Sequence, residues 1–332
     1  MTIPRLRENL DELEALTQAA AEFYSLRTDF VEKDFWAIEV LRVASRPRLI
    51  VLKDGATATV EFAFKGGTSL SRVFNLVERF SEDIDLLVIF PENGSTKARD
   101  RILKDVHEGV RNHLGLKETE AVASNQKVGV KRSITYEYPT ASAPNSALRE
   151  GVLLEMGSRG GDDPTSRRFL RSMVAEFAIT ELNEDPTTWE EFTAFELRVL
   201  APERTLLEKL SAVHTAATDG AVGSGKLAQH GRHYYDIHKL LESADVRASL
   251  AAMGPDRLEQ LADDIHQRGL EAGWDSHPRP SAGYATSVAF SDEGEIGETV
   301  RAAYAMVAEL VYGVPVTLDE CFETVRRSAD LI

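Results

Sequence analysis

Gly66-Gly67-Thr68-Ser69 and Asp83-Ile84-Asp85 are the residues of this chain best suited to chemistry. A glycine-rich turn that leads into a helix presents main-chain N–H groups with no intrahelical acceptor, a natural cradle for phosphate. Sixteen residues after Gly67 come Asp83 and Asp85, at the head of an apolar run that continues Leu86-Leu87-Val88-Ile89-Phe90. Residues two apart on a strand point to the same side, so both carboxylates converge. Convergent carboxylates suit hard divalent cations, and with a phosphate turn they point to metal-assisted chemistry on a nucleoside triphosphate. Each half alone has an ordinary structural explanation, since glycines end strands everywhere and acids decorate strand edges. Their order favours the chemical reading, because a carboxylate set against a buried run is costly unless paired or metal-bound.

The elements that must position these residues are legible from periodicity. Apolar residues recur at helical spacing over 5–24 (Leu10, Leu13, Leu16, Ala20) and 28–45 (Val31, Phe35, Ile38, Leu41), with Thr28 or Asp29 placed to cap the second helix. Residues 58–65 alternate like a strand that ends at the glycine pair, 68–78 fit a helix, and 84–90 a buried strand closed by Pro91 and Asn93-Gly94. A helix over 96–114 follows, then strands over 128–138, 151–157, 174–180 and 193–200. Pro202 opens a helix over 202–217, and beyond it helices are expected over 231–242, 247–253, 255–270, 293–312 and 317–330, with loops at 219–230 and 272–292. The expected organisation is a mixed α/β part over residues 1–200 and a helical part over 201–332 that completes a cleft.

Composition narrows the setting. The chain has 332 residues, 43% hydrophobic and 28% charged, the proportions of a soluble globular protein. No apolar run reaches the ~18 residues a membrane span needs, the first residues are amphipathic rather than signal-like, and Cys321 is the only cysteine. A cytoplasmic protein without disulfides or thiolate metal clusters is expected. The net charge of −16 runs against generic nucleic-acid binding, so an RNA substrate would require a local basic patch or the help of metal ions. Candidate basic groups are Lys127, Lys131 and Arg132, read as lying on one strand, and Arg159, Arg167, Arg168 and Arg171 around a loop. Lys226, Arg232 and His233 offer a third edge.

The string GGTSLSRVFNLVERFSEDIDL, with its helix-length spacing and its Arg79-Phe80-Ser81-x-Asp83-Ile84-Asp85 ending, closely resembles the first motif of the AbiEii-type nucleotidyltransferase toxins. These belong to the polymerase-β-like nucleotidyltransferase superfamily and are the toxin halves of type IV toxin–antitoxin systems. Further segments resemble the family in the same order: VEKDFW (31–36), GVLLEMG (151–157), PERTLLEKLSA (202–212) with Lys209, and RHYYDIHKL (232–240) with Asp236. The resemblance implies a polymerase-β-like α/β (α+β) core with a mixed sheet, followed by a helical C-terminal domain. It implies Mg²⁺ (or Mn²⁺) held by Asp83 and Asp85, with Glu155 as a third acid that holds metal or accepts a proton. Gly66, Gly67, Thr68, Ser69 and Ser81 would bind the nucleotide. Lys209 would neutralise the leaving pyrophosphate, and Asp236 would orient Lys209 or contact nucleotide or acceptor. The implied acceptor is RNA, a tRNA 3′ end, with growth arrest as outcome and a separately encoded antitoxin as partner; no membrane is involved.

Independently of kinship, Lys209 stands at the edge of the stripe Leu206, Leu210, Val213 and Ala217, where a lysine can simply snorkel. Asp236 borders Ile237, Leu240 and Leu241, with a salt bridge to Lys209, Arg232 or Lys239 as its plain reading. Two decoys are set aside. Gly220–Lys226 has the spacing of a Walker loop, but Leu227 replaces the metal-binding Ser or Thr and a helix precedes it. His230, His233 and His238 lack the cysteines or the His-Glu-x-x-His pattern of a zinc site. Two other functions stay open on the residues alone: transfer to a protein side chain or small molecule, which the acidic charge favours, and a nucleotide- or antitoxin-binding protein without turnover.

Overall fold

A computed structural model describes residues 3–81, 83–140, 150–220 and 223–332. The chain divides into two compact units. The first comprises Met1–Val73, Glu82–Ser158 and Thr165–Val199, and the second Phe74–Ser81, Arg159–Pro164 and Leu200–Ile332. Two short pieces of the first two hundred residues thus belong to the second unit, and one of them separates the glycine turn from the paired aspartates.

The first unit begins with α1 (Leu10–Tyr24) and α2 (Thr28–Ala44). Asn9 caps α1 by accepting from Glu12 N; Arg27 stands at the N-cap of α2 without a side-chain cap, so neither Thr28 nor Asp29 fills that role. Then follow β1 (Arg48–Val51), β2 (Thr57–Lys65), α3 (Gly66–Arg72), β3 (Asp83–Ile89), α4 (Thr96–His113), β4 (Ala121–Lys127), β5 (Lys131–Tyr136), β6 (Val152–Gly157), β7 (Thr165–Leu170), α5 (Met173–Thr180) and β8 (Phe195–Leu200). Among the described residues eight strands form one sheet, ordered β4-β5-β6-β3-β2-β8-β7 with β1 added to β2. The sheet is mixed: β3–β6 and β2–β8 are parallel, while β2–β3, β5–β6, β4–β5 and β1–β2 are antiparallel.

Alternation assigns the faces. Ile84, Leu86 and Val88 of β3 and Val152, Leu154 and Met156 of β6 are buried on one side, where α2 and α4 pack. Asp83, Asp85, Leu153 and Glu155 lie on the other. Helix α2 is buried along nearly its whole length, so its charged residues need partners. Glu39, fully buried, takes Arg42 at 2.8 Å and His113 at 2.8 Å. Asp34 accepts from Arg72 Nε at 2.5 Å and from Met173 N at 2.7 Å, tying α2 to the end of α3 and the start of α5.

Three expectations are corrected here. Residues 174–180 are a helix, not a strand: Ser172 caps it through Ala175 N, and Asp34 takes the next orphan donor. The helix after the glycine pair starts at Gly66 itself and ends at Arg72 rather than 78, because the following residues belong to the second unit. Lys127 and Lys131 lie on two strands, facing each other across the β4–β5 hairpin, and Arg132 is buried beside Asp100.

The second unit holds α6 (Pro202–Thr218), α7 (Ser224–Leu227), α8 (Gly231–Glu242), α9 (Ala244–Ala272), α10 (Gly294–Ala305) and α11 (Leu318–Arg327). Pro202 occupies the first turn of α6, and Gly254-Pro255 breaks α9 in the middle, with Gly254 at φ 72°. Phe290, Phe322 and Tyr234 pack edge to face at the centre of this unit.

Asp34→Ala removes the acceptor shared by Arg72 and Met173 N. It is expected to cost about 2–4 kcal/mol in urea denaturation, with Asp34→Asn recovering part of the loss. A change within ~0.5 kcal/mol, the range of ordinary surface substitutions, would show that Asp34 does not carry this junction.

Candidate functional site

The antiparallel pairing of β2 with β3 sets Lys65 opposite Asp85, and the parallel pairing of β3 with β6 sets Asp85 beside Glu155. Ser133 of β5 is next in the same row. Lys65, Asp85, Glu155 and Ser133 therefore form a polar line across one face of the sheet, with Asp83 two residues before Asp85 on the same side. Lys65 is also the last residue before α3, so the chain turns at this line. Gly66 adopts φ +82°, a conformation that strains L side chains. A side chain there would also collide: a Cβ on Gly66 would overlap Asp85 Oδ2. The glycine is required on both counts, and its missing side chain seats the Asp85 carboxylate against the backbone that opens α3.

Thr68 and Ser69 are buried within this turn. Thr68 Oγ1 donates to the Asp83 carbonyl at 2.7 Å, and Ser69 Oγ donates to the Gly66 carbonyl at 2.9 Å. Their hydroxyls hold the glycine turn and the start of β3 together. Contact with a phosphate at this turn would therefore come from the main-chain N–H groups of Gly66–Ser69. Ser81, partly exposed, falls in the second unit's segment Phe74–Ser81.

Carboxylate oxygens beside a glycine turn are the donor set that Mg²⁺ or Mn²⁺ prefers, and the room left at Gly66 admits the Asp85 carboxylate to that position. Among the described residues no three His, Cys, Asp or Glu side chains come together as a metal cluster. Ser133 Oγ donates to Glu155 at 3.0 Å, and Lys131 Nζ lies 3.1 Å from it. Asp83 and Asp85 share one face of β3, and Glu155 stands beside Asp85 on the neighbouring strand.

Lys209 and Asp236 come together in the second unit. Lys209, on α6, is 7% exposed and its Nζ lies 2.8 Å from Oδ2 of Asp236, on α8. Asp236 is fully buried and has a second cation, Arg79, whose Nε and Nη2 donate to its two oxygens at 2.6 and 2.7 Å. Burial pushes the Asp236 carboxyl up, but the Arg79 guanidinium and the Lys209 ammonium outweigh it and hold the group well below the usual carboxylate range. Neither Arg232 nor Lys239 is its partner; Lys239 pairs with Glu78 at 2.7 Å.

Arg79 is the residue that sequence reasoning left without a role, although it stands inside the RFSEDID string. It is 3% exposed and lies on a short extended ladder within the second unit. Arg79 bridges Val311, Phe80 N donates to the Leu310 carbonyl at 2.8 Å, and Tyr312 N to the Glu78 carbonyl at 3.0 Å. In the sequence its mark is its place in that string, since its partner Asp236 lies 157 residues away.

The remaining candidates disperse. His230 and His233 stack at 4.6 Å, and burial with Lys209 close by lowers the His233 imidazole well below its ordinary value, so the pair is neutral near pH 7. His238 instead meets Thr324 Oγ1 at 2.9 Å. Lys226 pairs with Asp275, and the Walker-like run is a short helix from Ser224, with residues 221–222 outside the described set. Arg167 pairs with Glu196 at 3.0 Å on β7, whereas Arg159 belongs to the second unit and donates to the Ala272 carbonyl. No helix among the described residues is long and apolar enough to cross a membrane.

A mixed sheet that carries two same-facing aspartates beside a strained glycine turn, followed by a helical unit, is consistent with a nucleotidyltransferase. The model of one protein family, the nucleotidyl transferase AbiEii toxin of type IV toxin–antitoxin systems, matches residues 51–324, and the chain belongs to that family. It is a nucleotidyltransferase enzyme of the toxin class. No match was found among curated proteins.

Asp236→Asn leaves the buried Arg79 and Lys209 with no counter-charge and is expected to cost about 3–5 kcal/mol. The lowered Asp236 carboxyl binds its proton more readily in the unfolded chain. Its contribution is therefore complete above the ordinary carboxylate range near pH 4 and is lost as pH falls through the lower folded value. Denaturant titrations should show wild type and variant converging as pH drops below about 4. A constant gap between them from pH 7 to 3 would contradict the buried ion-pair assignment.

Proposed function

We propose that this protein uses Mg²⁺ or Mn²⁺ to transfer a nucleoside monophosphate from a nucleoside triphosphate to a hydroxyl at the 3′ end of an RNA, with tRNA as the RNA class. The observation that carries the reading is the seat of the Asp85 carboxylate against the Gly66 backbone, which sets the paired acids and the phosphate turn side by side. Asp83 and Asp85 would hold the ion, and a divalent ion bound there supplies charge neutralisation and alignment of the triphosphate. The main-chain N–H groups of Gly66, Gly67, Thr68 and Ser69 would bind phosphate oxygens, with the Thr68 and Ser69 hydroxyls bracing that turn. Ser81 is assigned to nucleotide binding by its place in the motif.

The attacking hydroxyl would displace pyrophosphate in line. Glu155, braced by Ser133 and Lys131, is assigned the proton of that hydroxyl rather than a place on the metal. Lys209 is assigned to the leaving pyrophosphate on its motif, with the ion pair to Asp236 fixing the direction of its ammonium. Family membership supports a nucleotide substrate and a cognate antitoxin, and the proposed place of action is the cytoplasm. The charge of −16 favours, as a second reading, an acceptor on a protein or small molecule, since an acidic surface repels RNA.

The test is incorporation of each labelled nucleoside triphosphate, with Mg²⁺, into total tRNA or into cell protein, by wild type and Asp83→Asn. The expected result is label in RNA, lowered at least about a hundredfold in the variant. Label in protein would move the acceptor to the second reading, and equal incorporation by both proteins would remove Asp83 from the chemistry.

A further inference from the structure

The polar line that runs from Lys65 and Asp85 to Ser133 continues one strand further. Cross-strand partners share a face of the sheet. On β4 the partners of Thr135, Ser133 and Lys131 are Val122, Asn125 and Lys127, and on β6 they are Leu153, Glu155 and Gly157. The face that carries the aspartates therefore extends outward as three rows, about 6.6 Å apart along β5. The first row ends in the exposed Val122, and the middle one, in line with Asp85, ends in the exposed Asn125. The third holds Lys131, partly exposed, and Lys127, exposed. Gly157 stands in that third row, and a side chain there would meet nothing within 4 Å among the described residues, so the lysine row is open above β6. The β4–β5 hairpin is fixed from the other side. A Cβ on Gly129, in its bend, would strike the Thr96 carbonyl, Ser158 N donates to the Val130 carbonyl at 2.9 Å, and Arg132 reaches Asp100 of α4.

We infer that this outer part of the sheet is the track of the acceptor RNA strand, with phosphates at Lys131 and Lys127, a ribose hydroxyl at Asn125 and a base against Val122. The assignment rests on RNA as the acceptor and names where that RNA lies. The order of the rows is the order of chemistry across a nucleotide: cationic, hydrogen-bonding, apolar. Charge complementarity selects the occupant, since in a chain of net charge −16 two lysines paired across a hairpin form the local basic patch that an RNA strand requires. The spacing fits as well. β5 and β4 lie two and three strands from Asp85, about 10 and 14 Å, which three to four stacked nucleotides span at about 3.4 Å each. The strand end can thus reach the aspartates while the phosphates behind it rest on the lysines. Because the hairpin is fixed against α4, the lysine row is held in place before RNA arrives.

Lys131 also pairs with Glu155, so Lys127 and Asn125, both exposed, carry the test. Total tRNA and a short labelled single-stranded RNA, with a DNA strand of the same sequence, would be bound to the full-length protein across a salt series. Nucleotide incorporation into tRNA would be measured alongside. Wild type, Lys127→Ala, Asn125→Ala and Lys104→Ala are compared, the last removing the same charge from α4, which meets the opposite face of β5. Lys127→Ala is expected to weaken RNA binding about fivefold or more at 0.15 M salt and to flatten the slope of log affinity against log salt by about 0.7, the loss of one phosphate contact. Its KM for tRNA rises by the same factor with kcat within about twofold, and Asn125→Ala narrows the preference for RNA over DNA. Lys104→Ala stays at the wild-type values. Label entering tRNA with Lys127→Ala indistinguishable from wild type, or equal losses in Lys127→Ala and Lys104→Ala, would overturn the track and leave the RNA reading standing. Label entering protein instead of tRNA would remove the RNA reading, and the track with it.

Discussion

The architecture of the first unit turns on one close approach, the Asp85 carboxylate lying where a side chain on Gly66 would be. That approach requires a glycine with positive φ at the end of β2, and it requires the register that sets Lys65 opposite Asp85. A slip of one residue in that pairing would turn both aspartates to the buried face of the sheet and expose Ile84 and Leu86. The apolar run Ile84, Leu86, Val88, buried on the face that α2 covers, is what forbids the slip. The hydrophobic pattern of one face thereby fixes the acids of the other, and the hydroxyls of Thr68 and Ser69 lock the turn that joins them.

The second unit is organised around the opposite problem, a carboxylate that has been buried outright. Asp236 is tolerable only because Arg79 and Lys209 surround it, and such a cluster is stabilising chiefly in the sense that losing one member is severe. Arg79 comes from the segment between α3 and β3, so the two halves of the Gly-Gly and Asp-x-Asp motif are joined through residues that pack with the helices. That placement explains why α3 ends after seven residues although the helical pattern of the sequence runs on to 78.

Much of this was readable beforehand where pattern and partner agree. Helices α2, α4, α6 and α8 follow from an apolar periodicity that tertiary packing reinforces, with Pro202 opening α6. Residues 174–180 misled because a continuous apolar stretch fits a buried strand and a buried helix alike, and the deciding partners, Ser172 and Asp34, lie outside it. Strands β1, β4 and β7 were missed for a different reason. RLIV is too short to show a period, while β4 and β7 sit outermost in the order given and carry polar, largely exposed residues. Glu155 stands out in the sequence because it breaks an apolar run. Its partners Ser133 and Lys131 sit on another strand, and no spacing rule in one chain reports a cross-strand partner. Arg79 was hidden for the same reason, its aspartate being 157 residues away.

The central claim is that Asp83, Asp85 and the Gly66 turn form one metal–triphosphate site. It is tested most directly by Mn²⁺ binding followed by electron paramagnetic resonance, with and without a non-hydrolysable nucleoside triphosphate, in wild type, Asp85→Ala and Glu155→Gln. The account predicts a Mn²⁺–nucleotide complex on the wild-type protein that is lost in Asp85→Ala and kept in Glu155→Gln. An unchanged complex in Asp85→Ala would contradict it.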